Sequence, residues 1–583
     1  MIVTVFALKI GMRGRMPKLS ERPRLPILLL AAACVAVAGC SVWRGKPEKD
    51  ENEALRALMK APAPPDLIRE AAIANGMQAI QVDGVGAING LVGTGGPADP
   101  SIFREQLLEE MKRRDIEDPN HFLESPDTAL VRVQATIPPG ARRGDPLDLR
   151  ILAPKESRAE DLGGGWLLDT RLRQQMAVQK QLMQSSVRQS EVLATGTGPI
   201  LTRAAYSPSQ DGNLKIEGNV ISGGVVQVSR KLALILRPQY RHVAMSSGIA
   251  AAINRRFFFF DGTTRRGIAE ALEDDFVQLE VHPRYRDSIP RMMEVVRAIG
   301  IEPENSDTQK RLTTLGTKLA SPATSADAAL QLEALGESAV PTLLEGLKTS
   351  NPELKFYAAE ALAYLDRTES VKPLEVAIRD TPAFRAPAML ALQGVKSQDA
   401  IDALKRLMDQ PSMETRYGSF CSIRRRSDGR RQLNGQSMGE FWVYQVNSTA
   451  SPAIVVSLRE SPEIVMFGVP SPLVIPQFMR GPGGIMIKPE SDSPNQLRIS
   501  RFQVGKEDQL AVVDNTLPSL IAGLVSIGGG YGDVIEVLRI AKDEGYLSDQ
   551  FAIDPLPKSM RTYYRDDANA DPTVGDEFVD ADQ

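Results

Sequence analysis

The sequence predicts a multi-domain α+β protein in which mixed strand and helix domains are interrupted by an all-α repeat segment. Three observations lead to this fold class. Short β-rich runs alternate with isolated helices from Leu67 to about Pro303, helical patterns stand alone from Ala326 to Pro411, and strands return after Glu440. The chain has 583 residues. That length suits several domains of about 100–200 residues each, so we do not expect a single core.

The composition is that of an ordinary globular protein and excludes an overall basic nucleic-acid-binding protein. Charged residues make up 24% of the chain, hydrophobic residues make up 42%, and the formal net charge is −4. The one dense basic run, Arg424 to Arg431, contains no interleaved aromatic residues. We predict a solvated loop there, within a basic linker over residues 413–439. Nucleic acid is therefore not expected among the partners.

The first 39 residues have the pattern of an export signal. A basic flank ends at Arg24, Leu25 to Val37 form a short apolar run, and Ala38 and Gly39 precede Cys40. This order resembles a bacterial lipoprotein signal, which implies a lipid on Cys40 and attachment to a membrane. The alternative is an ordinary export signal that ends near a cysteine. Residues 40–66 are polar, charged and then Pro-rich, which is typical of a tether.

The cysteines and histidines do not form a site. After removal of the signal only Cys40 and Cys421 remain, and a lipid on the first leaves the second without a disulfide partner. We predict that Cys421 is a small, buried or half-buried, unreactive thiol. His121, His242 and His282 are far apart in sequence and have no ligand-like spacing. No metal, cofactor or histidine-based catalytic site is therefore expected.

The first region, residues 67–303, contains a glycine-rich stretch, GLVGTGG (residues 90–96, here called the glycine loop). Its last glycine is followed by Pro97, whereas a phosphate loop needs Gly-Lys-Ser/Thr at that point. We therefore predict a tight turn with positive φ angles instead of nucleotide binding. The turn leads into a helix over 101–114 with Ser101 as N-cap. One stripe of that helix is apolar, formed by Ile102, Leu107, Leu108 and Met111.

Further elements of the first region follow from local patterns. Ala129 to Pro138 and Asp148 to Pro154 alternate as strands, and residues 273–283 form another. The segment 170–192 has a helical pattern. Residues 246–257 form a helix with a serine cap, and the helix over 288–300 ends at Gly300.

Residues 320–412 contain an internal repeat. Val340-Pro341, Val371 with Pro373, and Ala400-Ile401 begin similar helices at a period of roughly 30 residues. Each is followed by a second helix, for example YAAEALAYL. This pattern resembles HEAT-like α-solenoid repeats, whose helix pairs stack to bury one apolar seam and mostly serve as binding surfaces.

The C-terminal region, residues 440–556, returns to strands and then a helical pair. The strands are predicted in GEFWVYQV, PAIVVSL, EIVMFG and GGIMIKP, and Asp533 is a candidate cap for the second helix. The last residues, 557–583, are acidic and poor in apolar side chains, which predicts a disordered tail.

Four stretches in the same order resemble the flagellar P-ring protein family. They are QVDGVGAINGLVGTGGPADPSIFREQLLEEM, ALVRVQATIPPGARRGDPLDLRI, IAAAINRRF and LPSLIAGLVSIGGGYGDVIEVLRIAKDEGYL. The resemblance covers roughly residues 67–303 and 440–553, and the HEAT-like block is an insertion between them. It implies assembly roles for residues on the matching motif positions, which are Gly90, Gly93, Thr94, Gly95, Pro138, Pro139 and Asn254.

The resemblance implies a non-enzymatic structural subunit without a cofactor. Many copies would associate into a ring around the flagellar rod in the periplasm, at the flagellar basal body, with lipid on Cys40 adding a membrane anchor. The implied partners are other copies of the chain, the rod and outer ring proteins, peptidoglycan, and an unknown protein on the HEAT-like surface. One alternative is an envelope lipoprotein that uses its repeats as a protein-binding scaffold unrelated to motility. A hydrolase would need a nucleophile and base, for which Asp169, Asp274 and Asp275 are only isolated carboxylates.

Overall fold

A computed structural model describes residues 65–174, 191–207, 209, 211–301, 308–491, 493–503, 505, 507–558 and 561–563. The chain divides into two compact units, Met1–Pro62 and Ala63–Gln583, and all described residues belong to the second. The expected signal, Cys40 and nearly all of the tether lie outside the described residues. Within them, the α+β class and the run of helices between two strand-containing regions are confirmed. No helix among them is long and apolar enough to cross a membrane.

A closed antiparallel sheet forms the first layer of the structure. Strand β4 pairs with both β3 and β8, so the order β4-β3-β2-β5-β6-β8 returns to its starting strand, and the short β7 pairs with β8. Alternate residues of β3, such as Val131 and Val133, face its apolar core. The strands are β2 (Ile80–Asn89), β3 (Ala129–Ile137), β4 (Pro146–Leu152), β5 (Trp166–Arg173), β6 (Val192–Pro199), β7 (Leu201–Thr202) and β8 (Glu217–Val226).

The strands predicted at 129–138 and 148–154 are thus confirmed as β3 and β4, but the helical pattern predicted over 170–192 is wrong at its start. Thr170 to Arg173 continue β5, where they pair with β6. Alternating side chains of Thr170, Arg171 and Leu172 match this strand, and cross-strand pairing outweighs the local helical preference. Residues 175–190 of that stretch lie outside the described residues.

Three further helices belong to the closed sheet. Helix α2 (Ile102–Lys112) packs against β2 and against α3 (Pro119–Glu124), and α4 (Arg203–Tyr206) follows β7. Ser101 accepts a hydrogen bond from the amide of Arg104, so its predicted role as N-cap is confirmed. Ile102, however, is 72% exposed. The predicted apolar stripe is wrong at this residue, because α2 packs on β2 through Leu107 and Met111.

A second, four-stranded antiparallel sheet completes the first region, in the order β1-β9-β13-β12. Its strands are β1 (Ala72–Asn75), β9 (Leu232–Leu236), β12 (Ala269–Ala271) and β13 (Phe276–Leu279), preceded by the short helix α1 (Ile68–Ala71). Helices α5 (Val243–Arg256) and α6 (Ile289–Arg297) belong to the same apolar cluster. A separate hairpin is formed by β10 (Phe258–Asp261) and β11 (Thr264–Gly267).

The predicted ends of these two helices need correction. Helix α5 begins at Val243, and the imidazole Nδ1 of His242 accepts the amide of Met245 at 3.1 Å. Ser246, the predicted cap, lies buried inside the helix. The prediction failed because a histidine cap falls outside the usual set of Ser, Thr, Asp and Asn. Helix α6 ends at Arg297, three residues before Gly300.

The middle of the chain, residues 308–430, is entirely helical and is called the helical segment below. It comprises α7 (Thr308–Leu319), α8 (Ser325–Leu335), α9 (Val340–Gly346), α10 (Pro352–Tyr364), α11 (Val371–Asp380), α12 (Pro382–Gly394), α13 (Gln398–Leu407), α14 (Met413–Arg425) and α15 (Ser427–Arg430). Many of its buried side chains belong to one apolar cluster, which also includes residues of the four-stranded sheet and, at the other end, residues of the C-terminal region. The helical segment therefore packs against the first region at one end and against the C-terminal region at the other.

The solvated loop predicted at Arg424 to Arg431 is wrong. Ser412 caps α14, which continues through Arg425. Arg426 is buried, and its guanidinium donates to the backbone carbonyls of Gln393 and Val395. The basic residues thus satisfy helix-end carbonyls and carboxylates of neighbouring elements, which a charge count along the sequence does not reveal.

The C-terminal region contains two sheets and a helical pair. Strands β14 (Gly435–Ser437), β15 (Trp442–Val446), β16 (Ala453–Val456), β17 (Glu463–Phe467) and β22 (Gln550–Ile553) form one sheet in the order β14-β15-β17-β16-β22. The second sheet has the order β18-β19-β20-β21, with β18 (Met479–Arg480), β19 (Ile485–Glu490), β20 (Ser493–Arg501) and β21 (Gln509–Asp514). The four strands predicted here are confirmed as β15, β16, β17 and β19.

The predicted helical pair is confirmed as α16 (Leu517–Ser526) and α17 (Tyr531–Asp543). The N-cap of α17 is Gly530, so the prediction of Asp533 as the cap is wrong in position. Asp533 is the third residue of the helix, and its carboxylate reaches back to accept the amide of Gly530 at 3.1 Å. The predicted tail starts too early, since the described residues from 557 to 563 pack on the helical segment. Arg561 lies 2.7 Å from Glu414, and the ring of Tyr563 stacks on that of Phe384.

Candidate functional site

The glycine loop connects β2 to α2 and has the predicted turn geometry. Gly90 and Gly93 have φ angles of +80° and +73°, in the region that favours glycine. The amide of Gly93 donates to the Asp127 carboxylate at 3.0 Å, which holds the turn against the next loop. An added Cβ at either glycine would meet open space. Backbone conformation therefore explains these two glycines.

Gly95 and Gly96 serve a different purpose, which is close contact with the same chain. The amide of Gly95 donates to the carbonyl of Pro126 at 2.8 Å, and that of Gly96 donates to Thr128 at 3.0 Å. A Cβ at Gly95 would overlap the carbonyl oxygen of Thr128 and lie 2.7 Å from that of Pro126. The close backbone approach at this position is therefore to other segments of the same chain.

Thr94 connects the glycine loop to residues 160–161 through hydrogen bonds. Its hydroxyl donates to the carbonyl of Asp161 at 2.8 Å, and its carbonyl accepts the amides of Glu160 and Asp161. Two apolar side chains are exposed here: Val92 within the glycine loop is 56% accessible, and Ile102 at the start of α2 is 72% accessible. An intramolecular frame therefore presents two apolar side chains to solvent. The sequence analysis missed Ile102 as a surface residue, because helical periodicity does not say which part of a stripe is covered.

Pro138 and Pro139 lie where the closed sheet meets the four-stranded sheet. The next residue, Gly140, has a positive φ, and a Cβ there would lie 2.7 Å from Ile289 of α6. Arg142 donates to the carbonyl of Val281 at 3.1 Å. These contacts indicate that the proline segment orients one sheet relative to the other.

Asn254 supports the backbone of β12. Its amide nitrogen donates to the carbonyl of Ala269, and its oxygen accepts the amide of the same residue, both at 2.8 Å. Gly267 passes so close that an added Cβ would overlap the Asn254 side chain. The predicted assembly residues are therefore found in three places: four in the glycine loop, two in the proline segment, and Asn254 beside β12. Their roles in assembly stay predictions.

The described residues contain no group of three or more His, Cys, Asp or Glu side chains that could hold a metal. The carboxylates named for a hydrolase are isolated, with Asp169 paired to Arg114 at 2.9 Å and Asp275 paired to Arg241 at 3.3 Å. Cys421 is buried as predicted, and burial raises the pKa of its thiol to about 12. The thiolate needed for reactivity is thus disfavoured.

The polar contacts that join the helical segment to the first and C-terminal regions were not predicted from the sequence. Arg291 of α6 forms ion pairs with Glu333 of α8 and Glu360 of α10. At the other end, the Glu460 carboxylate pairs with Arg425 at 2.6 Å, while the Glu460 amide donates to Asp148 of β4 at 2.9 Å. These contacts fix the helical segment at both ends. Sequence periodicity carried no signal for them, since the partners lie far apart along the chain.

Comparison with known proteins agrees with this division of the chain. Residues 67–311 match the family model described as flagellar P-ring protein, and residues 340–420 match the model of HEAT repeats. Both resemblances predicted from the motifs are confirmed over these residues. The predicted resemblance of residues 440–553 to the end of the family lies outside the matched ranges and stays a prediction.

Individual relatives are similar at modest identity. The flagellar P-ring protein of Thermotoga maritima is 25% identical over 245 residues, which cover 41% of this chain and 67% of that protein. That of Gluconobacter oxydans is 29% identical over 191 residues, covering 31% of this chain and 47% of the relative. That of Nitrobacter winogradskyi is 26% identical over 257 residues, covering 42% and 64%.

Proposed function

We propose that this chain is a non-enzymatic structural subunit of a periplasmic ring around the flagellar rod, the P ring of the basal body. The observation that carries the proposal is the match of residues 67–311 to the flagellar P-ring protein model. The order of strands, glycine loop and helices over those residues is continuous, so the similarity is to a folded framework and not to one motif. Catalysis is not part of this role.

Assembly would proceed by self-association of identical copies, in which a patch on one copy meets a different patch on the next until the rotation closes. The glycine loop and the start of α2 together are the candidate for one of these patches. Hydrogen bonds within the chain hold the loop, and the side chains of Val92 in the loop and Ile102 in α2 are exposed. Apolar side chains on a rigid support can associate with little loss of conformational entropy.

The helical segment would be a fixed part of each ring subunit and would add a docking surface to it. Its buried ion pairs to α6 and its contacts with the C-terminal region argue against independent movement. HEAT-like arrays mostly bind other proteins. An unknown envelope protein is therefore the partner proposed for its outer surface.

The remaining partners follow from the position of such a ring. The inner surface would contact the rod, and neighbouring components would be the outer ring proteins and peptidoglycan. Lipid on Cys40 would add a membrane anchor to each copy, and many weak anchors on one ring hold it firmly. The expected location is the periplasm at the flagellar basal body.

Electron cryotomography of the cell envelope tests this function. Wild-type cells, cells without the gene, and cells in which the gene has been restored would be compared. We expect loss of a periplasmic ring around the rod without the gene and its return on restoration. A ring that is unchanged in the absence of the gene would overturn the proposal.

A second candidate is an envelope lipoprotein that uses its repeats as a scaffold unrelated to motility. The match of residues 340–420 to HEAT repeats favours this candidate, since such repeats commonly bind proteins without forming a ring. It predicts normal swimming without the gene and a monomer or small oligomer in solution. The ring hypothesis predicts the opposite of both results.

A further inference from the structure

A cavity of about 610 Å³ lies where the first region meets the helical segment. One wall comes from α5, the His282–Tyr285 turn and residues 298–300, and the other comes from α7, α8 and the end of α10. Small-molecule sites are often found at such boundaries, and this volume falls in the range of about 300–1,000 Å³ that organic ligands occupy. The cavity therefore has the position and size of a ligand site.

The charged side chains that line this cavity are mostly cations. Four arginines contribute to the lining, against a single carboxylate from Glu337. That carboxylate is already paired with Arg367, which is not part of the lining. The arginines are Arg255, Arg256, Arg284 and Arg311. Positive charge therefore outweighs negative charge among the side chains that line the cavity.

Two of the arginines differ in how far their charge is neutralised. Arg284 pairs with Asp366 at 2.9 Å and donates to the carbonyl of Tyr364. Arg256 donates through Nε to the backbone carbonyl of Glu333, but its Nη2 is buried without a hydrogen-bond partner in the described part of the chain. A buried guanidinium nitrogen without an acceptor costs free energy, and an entering anion that shifted this side chain would relieve that cost.

Arg255 is the most accessible of the four. It lies in the last turn of α5, is exposed, and has no ion pair with the carboxylates of the described residues. Two of the four arginines also act on His282, which lies on the same wall as α5. Burial lowers the pKa of this imidazole, and the charges of Arg284, Arg256 and Lys396 lower it further. The cavity is therefore electropositive around a half-buried aromatic ring.

Apart from His282 and Gln331, whose amide nitrogen donates to Asp327 at 2.7 Å, the rest of the lining is apolar and aromatic. Ala252, Ile299, Leu335 and Leu365 provide aliphatic surface, and Phe258, Tyr285 and Tyr364 provide rings. An inorganic anion would leave most of this surface and volume unused. We propose that this cavity binds an organic carboxylate, with the acid group near Arg255 and Arg256 and its carbon skeleton against the apolar wall.

The carboxylates could come from outside or from the chain itself. The sequence between Asp566 and Asp582 contains seven acidic residues. The described residues that precede it end at Tyr563, on the ring of Phe384, which in turn stacks on Phe356 of α10. Phe356 and Tyr364 are about 12 Å apart along α10, at 1.5 Å per residue. Twenty residues, at up to about 3.3 Å each, are long enough to reach the cavity. The experiment must therefore separate the two sources.

Calorimetric titration of the full-length chain with trimesate, benzene-1,3,5-tricarboxylate, tests the site. The neutral triamide of the same ring serves as the ligand control. Arg255→Glu reverses one charge at an exposed position, and Arg379→Glu does the same on α11, away from the cavity. A third variant replaces the seven acidic residues between 566 and 582 by their amides. All proteins would be compared at low and at high salt.

We expect one trimesate per chain, no binding of the triamide, at least a tenfold loss of affinity in R255E, and less than a twofold change in R379E. Tighter binding to the amide-substituted chain would identify its own acidic residues as the carboxylate source, and equal binding would identify an external one. Absence of trimesate binding in both the unaltered and the amide-substituted chain would overturn the proposal. Equal losses in R255E and R379E would also overturn it, since they would mean non-specific attraction.

Discussion

Arg291 and Glu333 form a buried ion pair that joins the region matching P-ring proteins to the helical segment. The Nη2 of Arg291 lies 2.6 Å from the Glu333 carboxylate, and its Nη1 lies 2.8 Å from Glu360. The Arg291 side chain is only 12% exposed and Glu333 is fully buried. The hydroxyl of Tyr285 donates to the second oxygen of Glu333 at 2.6 Å. The helical segment is thus held by directional contacts as well as by apolar packing.

Arg291→Met should strongly destabilise this boundary. The substitution leaves the carboxylates of Glu333 and Glu360 buried without a cation, which typically costs about 3–5 kcal/mol. Native-state hydrogen exchange would report it as a loss of protection in α8 and α10. Arg379→Met removes an exposed arginine and is the matched control, with an expected change below about 0.5 kcal/mol. Equal effects of the two substitutions would contradict a special role of Arg291.

Glu463→Gln should change how stability depends on pH. Burial raises the pKa of this carboxyl to about 7, although Arg424 and the Tyr417 hydroxyl act in the opposite direction and Glu460 and Arg425 are also nearby. The folded protein therefore holds the proton more tightly than the unfolded chain does. The contribution of Glu463 to stability is therefore greatest at low pH and falls as pH rises from about 4.5 to about 7.

The glutamine variant lacks this titration and keeps an oxygen that can accept the Tyr417 hydroxyl, 3.1 Å away. We expect it to be more stable than the unaltered chain by about 2–3 kcal/mol above pH 7 and nearly equal to it below pH 4.5. Chemical denaturation followed by circular dichroism at a series of pH values would measure the difference. A stability difference that stays constant across the series would show that Glu463 does not titrate in this range.

Three glycine-to-alanine variants should rank in a definite order. Gly95→Ala places a Cβ against the carbonyls of Thr128 and Pro126 and should cost about 2–3 kcal/mol, since the surrounding backbone must move. Gly93→Ala meets no neighbour but needs a positive φ, which costs about 1–2 kcal/mol. Gly212→Ala has open space and no positive φ and is the control. Thermal unfolding of the three would test the order, and a G93A loss above that of G95A would contradict it.

Ile102→Glu tests the proposed association surface without disturbing the fold. The side chain is 72% exposed and lies in the first turn of α2, where a negative charge favours the helix. Loss of one buried isoleucine at a contact, about 1.5–3 kcal/mol, corresponds to roughly tenfold or greater weakening of self-association. Sedimentation velocity would measure it, with Val376→Glu on α11 as control. Unchanged association in I102E would exclude this residue from the contact.

Local patterns predicted the elements whose causes are local. The cap at Ser101 and the positive φ angles in the glycine loop each depend on a few neighbouring residues, and both are confirmed. The errors arose where distant partners decide. Arg426 has carbonyl partners on α12 and in the loop after it, so a run of arginines became a helix end instead of a solvated loop.

By itself the sequence determined the fold class, the run of helices and the resemblance of the first region to P-ring proteins, because hydrophobic periodicity and turn residues are local features of short stretches. Only the tertiary structure decided which of those residues meet. It placed Arg291 beside Glu333, which is 42 positions away along the chain. In the tertiary structure the Ile102 side chain is exposed, and Arg255 and Arg256 line a cavity whose other wall includes α8. Such pairings depend on packing between elements, whose free energy depends on all of the surrounding side chains and not on local order alone.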